Sequence, residues 1–322
     1  MHYLIKKIKF KKSLLFILLI ELTIIFCLIF IIVKNQLPLS RLSVTELKKE
    51  SLNVTPAEDL KYFFEPQPNT SDSFHKRPDW LEYDPKNTIN SDSLNERFDY
   101  SVEKPENTFR IITLGDSLTF GLFVDTSDNY PEKLEDLLNN NLKCKNVKKF
   151  EVINLGVPSY DIRYTVERFK KRGVKYNPDL VLWFLQGGNF YKIQDLVTSR
   201  LSLYTDQKGN IAEKARVDIL KELGEENILK LQTGYLKMIN NYYTNKLVIF
   251  SLPHQFNDKT EKIVKNFLAP RKDGYFFQTE TDFNDTSKKL LFPDHHPTAE
   301  GYTILSQELY DYLVQNKLIS CN

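Results

Sequence analysis

Four short runs rich in β-branched and aromatic residues constrain this chain most: Phe109–Leu114, Phe150–Leu155, Asp179–Leu185 and Lys246–Leu252. Each has the length and composition of a buried strand. Helical patterns lie between them. Tyr130–Asn141 sets Leu134, Leu137 and Leu138 on one face, with Leu142 just beyond. Ile162–Gly173 and Glu225–Tyr243 follow. Thr298–Gln315 gathers Ile304, Leu305, Leu309, Tyr312 and Leu313. Alternating strands and helices predict a parallel sheet with helices on both faces, because each parallel crossover is long enough to carry a helix. Tyr191–Gly224 interrupts the alternation just after the third strand. It reads either as a lid or substrate wall or as a packing excursion without a role in binding.

The N-terminus obeys a different pattern. Lys6, Lys7, Lys9, Lys11 and Lys12 precede Ser13–Val33, which is apolar except for Ser13, Glu21 and Thr23. About 20 apolar residues span a bilayer. The lysines favour a cytoplasmic N-terminus, which sends the rest of the chain to the far side. The exit, Phe30–Gln36, offers no small-x-small cleavage site, and Phe26 stands before Cys27 where a lipoprotein signal needs a small residue. The expected organisation is therefore residues 1–34 as basic tip and transmembrane anchor, 35–108 as a stalk or extension, and 109–318 as the main domain. Glu21 inside the span is either a neutral carboxyl or the contact of a membrane partner protein. Six prolines between Pro56 and Pro105 argue against a second core in the extension. Within it, residues 55–64 carry a faint helical pattern, and Trp80, Leu81 and Tyr83 could dock on the domain.

The formal net charge is +2, but residues 1–34 hold six of the lysines and one glutamate. The rest keeps 38 of the 44 bases and 41 of the 42 acids, close to neutral. That excludes a basic footprint for nucleic acid. Beyond the membrane, Cys144 and Cys321 would face an oxidising compartment. They stand after the first and last helices of the domain and are either bridged or free. His254, His295 and His296 make no metal-ligand spacing, and no cofactor motif is present.

Chemistry-bearing residues fall at the strand ends. Arg110–Leu114 runs into Gly115, Asp116 and Ser117. A serine at the carboxyl edge of a parallel sheet lies where such folds bind ligands. Ser117 is a weak nucleophile until a base takes its proton. His296 is the expected base. Asp294, two residues earlier on an extended loop, shares its side and can fix the imidazole tautomer, while His295 points away. Gly156 past the second strand and Asn189 past the third offer a backbone N–H and a side-chain amide to an oxyanion. Thr119 stands where the Gly-x-Ser-x-Gly elbow of α/β-hydrolases has glycine, so this is not that motif.

In this order, Gly115-Asp116-Ser117-Leu118, Gly156, Asn189, and Asp294 with His296 resemble the four blocks of the SGNH/GDSL hydrolases, over about residues 109–316. Phe190 follows Asn189 where the family usually has Asp. One residue, rather than two, separates Asp294 from His296, and Pro297 after the histidine matches the family's habit. Ile89-Asn90-Ser91-Asp92 and Glu103-Lys104-Pro105 resemble the lead-in of a membrane-anchored bacterial subgroup. The resemblance implies a flavodoxin-like three-layer α/β/α sandwich, Ser117 as nucleophile, and an oxyanion hole of the Ser117 and Gly156 N–H groups with the Asn189 amide. It also implies hydrolysis of ester bonds, with an O-acylated or O-acetylated envelope glycan or lipid as substrate. An O-acyltransferase using the same residues, and a catalytically silent envelope-binding protein, are the alternatives.

Overall fold

The computed structural model describes residues 60, 62–72, 77–204 and 210–321. The expected anchor at residues 13–33 and the basic tip before it lie outside the described residues. Among the described residues, no helix is long and apolar enough to cross a membrane.

Two short strands of the extension, β1 (Thr70–Asp72) and β2 (Asn87–Ile89), pair antiparallel as a ribbon. The main sheet holds β3 (Thr108–Leu114), β4 (Lys149–Asn154), β5 (Leu180–Phe184), β6 (Lys246–Ser251) and β7 (Gly274–Gln278). All its pairings are parallel, in the order β4-β3-β5-β6-β7. Register runs Ile111 to Val152 on one side of β3 and Ile112 to Val181 on the other. The first strand of the domain therefore lies inside the sheet, with the second and third on either side of it. This is the flavodoxin-like order, and its switch point falls between β3 and β5.

Pleating sends alternate residues to opposite faces. On one face, Ile111, Val152, Leu182 and Val248 pack with Leu134 and Leu138 of α2 (Tyr130–Asn141) and with Leu305, Leu309 and Leu313 of α9 (Ala299–Gln315). Ile112, Ile153, Val181 and Ile249, of the opposite parity, are also fully buried, so the second face is covered as well. On it α3 (Ile162–Arg168) packs along α7 (Glu225–Met238), and α8 (Asp258–Leu268) lies beside β7.

The four expected strands and helices are present. The expected helix at residues 162–173 is α3 followed by one wide turn, Phe169–Gly173. Thr298 begins the last helix as its cap, accepting from the Gly301 N–H. The insertion at residues 191–224 contains α5 (Gln194–Arg200) and α6 (Ile211–Leu223). The tail of the faint helical pattern, residues 62–64, is not helical. β7 and α8 add to the sequence reading. β7 is half-buried along its whole length, whereas the other strands of the sheet are buried almost throughout.

The described part of the extension lies on the domain and is tied to it by charge. Arg168, fully buried, pairs with Glu65 and donates to the Ser93 carbonyl at 2.6 Å. Arg172 reaches Glu65 at 2.9 Å and Asp92 at 2.7 Å. Burial pushes the Glu65 carboxyl up, but the two guanidinium groups outweigh it and hold Glu65 below its usual value. Asn95 donates to the Phe120 carbonyl at 2.7 Å, beside the segment that carries Ser117. Trp80 and Leu81 dock as expected; Leu81 is buried, and Trp80 packs on Phe123 and Phe292. Cys144 and Cys321 form a disulfide that links the loop after α2 to the segment after α9.

Candidate active site

The strand β3 ends at Leu114 and the chain turns at once. Gly115 has φ +155°, and a Cβ there would collide with the Thr119 hydroxyl, so only glycine fits. That hydroxyl donates to the Leu114 carbonyl at 3.1 Å, which closes the turn. Asp116 caps the four-residue helix α1 (Ser117–Phe120), accepting from the Leu118 N–H at 3.1 Å. Gly121 ends α1 at φ +86°. From α9, Tyr302 donates its hydroxyl to the Leu118 carbonyl at 2.9 Å and fixes α1 from below. Ser117 is left half-buried at the carboxyl edge of the sheet, beside the switch point.

His296 arrives on a tight turn before α9. The Phe292 N–H donates to the His296 carbonyl at 2.7 Å, and His295 sits between at φ +68°. The turn brings Asp294 Oδ2 to 2.9 Å from His296 Nδ1 and His296 Nε2 to 2.8 Å from Ser117 Oγ. Burial pushes the Asp294 carboxyl up, but its hydrogen bond and charge interaction with His296 hold it below its usual value. An ionised Asp294 fixes the Nδ1–H tautomer, which leaves Nε2 free to accept from the Ser117 hydroxyl. His295 is exposed and lines a cavity of about 450 Å³ whose walls do not include Ser117 or His296.

Gly156 packs directly on α1. A Cβ would strike the Phe120 nitrogen and the Thr119 backbone, so the loop after β4 approaches α1 only through glycine. The Gly156 N–H, expected to face an oxyanion, donates instead to Asn154 Oδ1 at 2.9 Å. It can reach a substrate oxygen only by sharing or exchanging that bond. Asn189 opens α4 (Asn189–Lys192) and is buried. Its Oδ1 accepts from the Gln186 N–H at 2.9 Å, and its Nδ2 donates to Asp116 Oδ2 at 2.9 Å. One amide proton is thereby used and the second is left for a ligand. The Ser117 N–H, first in α1, has no acceptor within its helix.

Ser117, Asp294 and His296 are thus in direct contact, with Gly156 and Asn189 on the two flanks of α1. Sequence reasoning missed Lys192, whose ammonium pairs with Asp116 Oδ2. The readable signal was its spacing of three residues from Asn189 on one helical turn. It also missed the aromatic wall beside the histidine. Phe123 meets the His296 ring edge-on at 5.3 Å, and Trp80 packs against Phe123 at 5.1 Å and Phe292 at 5.3 Å. Tyr83 donates to the Phe123 carbonyl at 3.0 Å, so residues of the extension shape this wall. Among the described residues, no cluster of His, Cys, Asp and Glu is arranged to hold a metal.

No protein-family model matches the chain, and no curated protein matches it. Several solved structures are similar to it. A psychrotrophic esterase, EstA, from Pseudoalteromonas sp. is 13% identical, covering 65% of this chain and 98% of that one with a TM-score of 0.40. A catalytic mutant of an acetylxylan esterase from Geobacillus stearothermophilus is 16% identical, covering 65% and 94% with a TM-score of 0.41. The family 3 carbohydrate esterase of Clostridium thermocellum is 15% identical, covering 65% and 96% with a TM-score of 0.35.

Proposed function

We propose that this chain is a serine esterase of the SGNH/GDSL type that cleaves O-acyl or O-acetyl esters by way of an acyl-enzyme. The observation that carries the reading is one imidazole bonded to both a serine and a carboxylate, His296 Nε2 to Ser117 Oγ and Nδ1 to Asp294. The rest of the site supplies the parts such chemistry needs.

In this mechanism the Ser117 oxygen attacks the ester carbonyl while His296 Nε2 takes its proton. Asp294 stabilises the imidazolium and holds the ring in place. Negative charge builds on the former carbonyl oxygen. The Ser117 N–H and the second proton of the Asn189 amide receive it in this mechanism, and the Gly156 N–H joins if it releases Asn154. The tetrahedral centre collapses, the C–O bond to the alcohol breaks, and His296 protonates the leaving alkoxide. Water, deprotonated by His296, then attacks the acyl carbon; the bond to Ser117 Oγ breaks, His296 returns the proton to Oγ, and the carboxylic acid leaves. A sugar hydroxyl in place of water would make the same residues a transferase.

The substrate we assign is an ester-bearing glycan or lipid of the cell envelope. The apolar run at residues 13–33 supports a membrane-anchored enzyme with its domain on the far side, and the Cys144–Cys321 bridge is in keeping with an oxidising compartment.

The test is turnover of p-nitrophenyl esters of increasing chain length, with and without a glycan acceptor. Ser117→Ala should abolish turnover and covalent labelling by a fluorophosphonate. Unchanged turnover in Ser117→Ala would refute the assignment, and acylated acceptor among the products would convert hydrolase into transferase.

A further inference from the structure

The Asp116 carboxylate stands one residue before the nucleophile and is 2% exposed. Three donors converge on it: the Leu118 N–H and the Asn189 amide, each bonded as described, and the Lys192 ammonium. Burial alone would push this carboxyl up. Lys192 first, then Leu118 and Asn189, reverse the effect, so Asp116 is held below its usual value and carries a full negative charge.

That charge is in the wrong place for acyl transfer. The tetrahedral intermediate puts a second negative charge within bonding distance of Ser117, in a site where little water screens it. An unpaired Asp116 would oppose the charge that the oxyanion donors are there to stabilise. Among the described residues, Lys192 is the one cation bonded to Asp116.

The backbone is shaped to deliver that cation. Asn189 and Lys192 occupy the first and last positions of the single turn α4, so both side chains face Asp116. The turn ends immediately afterwards at Ile193, which has φ +40°. A β-branched residue in the left-handed region is strained and persists only when its surroundings hold it. Ile193 is held by its own burial and by Asp161, whose Oδ2 accepts from the next N–H, that of Gln194, at 2.8 Å. The strained exit stops α4 after Lys192 and redirects the chain into α5.

We propose that Lys192 is a positioning residue of the esterase site: it neutralises Asp116 and, by sharing that carboxylate with Asn189, holds the Asn189 amide in the orientation that meets the oxyanion. The proposal rests on the reading of Ser117 as nucleophile. The other titratable groups around this pair are the buried phenols of Tyr130 and Tyr302, which feel the Asp116 charge, and the Asp161 carboxyl, which feels the Lys192 charge. Across Ser117 lie His296 and Asp294. Both phenols are pushed up, chiefly by burial, so they are neutral and cannot substitute for the ammonium.

The test measures kcat and KM for p-nitrophenyl acetate in the full chain and in Lys192→Met, Lys192→Arg, Asp116→Asn and the Asp116→Asn/Lys192→Met double variant. Lys192→Met should lower kcat by about 10–100-fold with KM changed less than about twofold, because the effect is confined to the transition state. Lys192→Arg should recover most of the loss. In the Asp116→Asn background, where no charge needs neutralising, Lys192→Met should cost less than about threefold. An equal cost in both backgrounds overturns the proposal, as does a raised KM with unchanged kcat, which would place Lys192 on the substrate. If Lys192→Met does not fold, Lys192→Gln takes its place in the same cycle. Absence of Ser117-dependent turnover in the unmodified chain refutes the esterase reading itself; its presence with an unaffected Lys192→Met refutes only this inference.

Discussion

Glu96, in the extension, accepts the backbone N–H of Asn154 at the end of β4, across 58 positions of sequence. The Asn154 side chain in turn accepts from Gly156, the glycine that packs on the serine-bearing helix. The extension therefore reaches the site through two bonds. Burial first, then the neighbouring Glu132 and Glu135, push the Glu96 carboxyl well above its usual value, which favours its protonated form at the bond to Asn154. Glu96→Gln keeps an acceptor without a charge and should fold and turn over much as the parent does. Glu96→Ala leaves a buried N–H unpaired, which costs about 1–3 kcal/mol. Thermal melts of the two variants should differ by several degrees, with Glu96→Ala the lower and less active; identical melts would remove the extension from this account.

The same acidic cluster makes stability depend on pH. Glu135 accepts from the Val152 N–H at 2.7 Å and the Tyr100 hydroxyl at 2.9 Å, and burial pushes it from 4.5 to about 7. A carboxyl raised in the folded state stabilises the fold when protonated. Its contribution is complete below about 4.5 and is lost as pH rises through about 7. Over that window the loss is on the order of 3 kcal/mol. Urea melts at pH 5 and pH 8 should show the parent weaker at pH 8. Glu135→Gln should remove most of that difference; a parent curve that is flat between the two pH values contradicts it.

Gly156 offers a separate handle. Gly156→Ala pushes a methyl into the Phe120 nitrogen and the Thr119 backbone, atoms that cannot yield without moving α1. Ser117 opens that helix, so the Ser117 to His296 geometry shifts with it. A misplacement of about 1 Å at a reacting atom costs about 10²-fold. Turnover of p-nitrophenyl acetate should fall by that order while the thermal midpoint drops by only a few degrees. Parent-like kcat in Gly156→Ala would show that the loop has room to relax.

The strand-end residues were legible because each combines a chemical type with a positional signal. Ser117 follows Gly115 at a strand end, Asn189 follows two glycines, and His296 precedes a proline and a capped helix. β3, β4, β5 and β6 were legible from largely apolar, β-branched and aromatic runs, as strands buried on both faces require. β7 was not, because its five residues, Gly-Tyr-Phe-Phe-Gln, are all only half-buried and hold no more than a three-residue apolar run. Lys192 and Glu96 were not legible for another reason. Both act through contacts distant in sequence, 76 and 58 positions away; nothing local marks Glu96, and the spacing of Lys192 from Asn189 shows only that the two share a helical turn, not that they meet at Asp116. The engagement of the Gly156 N–H by Asn154 is a detail of backbone geometry that residue types do not encode.

Trp80 tests whether the extension shapes the substrate wall. Its indole packs on Phe123 and Phe292, and Phe123 meets the His296 ring edge-on. Trp80→Ala removes the outer member of this stack and loosens Phe123, which is held at φ +71°. Aromatic pairs of this kind contribute about 0.5–1.5 kcal/mol each beyond their buried area. The kcat/KM of Trp80→Ala should fall by about tenfold, while Phe64→Ala, on the opposite stretch of the extension, should leave it unchanged. Equal effects of the two would mean that the extension acts only through global stability.

The Cys144–Cys321 bridge closes a loop with a sequence separation of 177. Linking residues so far apart removes conformational freedom from the unfolded chain, worth about 5 kcal/mol in the chain-entropy account. The bridge also joins the ends of α2 and α9, which already pack side by side on one face of the sheet. Part of that restriction therefore exists in any compact unfolded state, and a loss of about 2–4 kcal/mol on reduction is expected. The triad lies at the opposite, carboxyl edge of the sheet, so its geometry does not depend on the bridge. Reductant, or Cys144→Ser with Cys321→Ser, should lower the urea midpoint and leave kcat within about twofold under native conditions. Two free thiols by mass spectrometry of the unreduced protein would contradict the bridge. A large kcat loss at unchanged stability would mean that the two ends of the sheet are coupled.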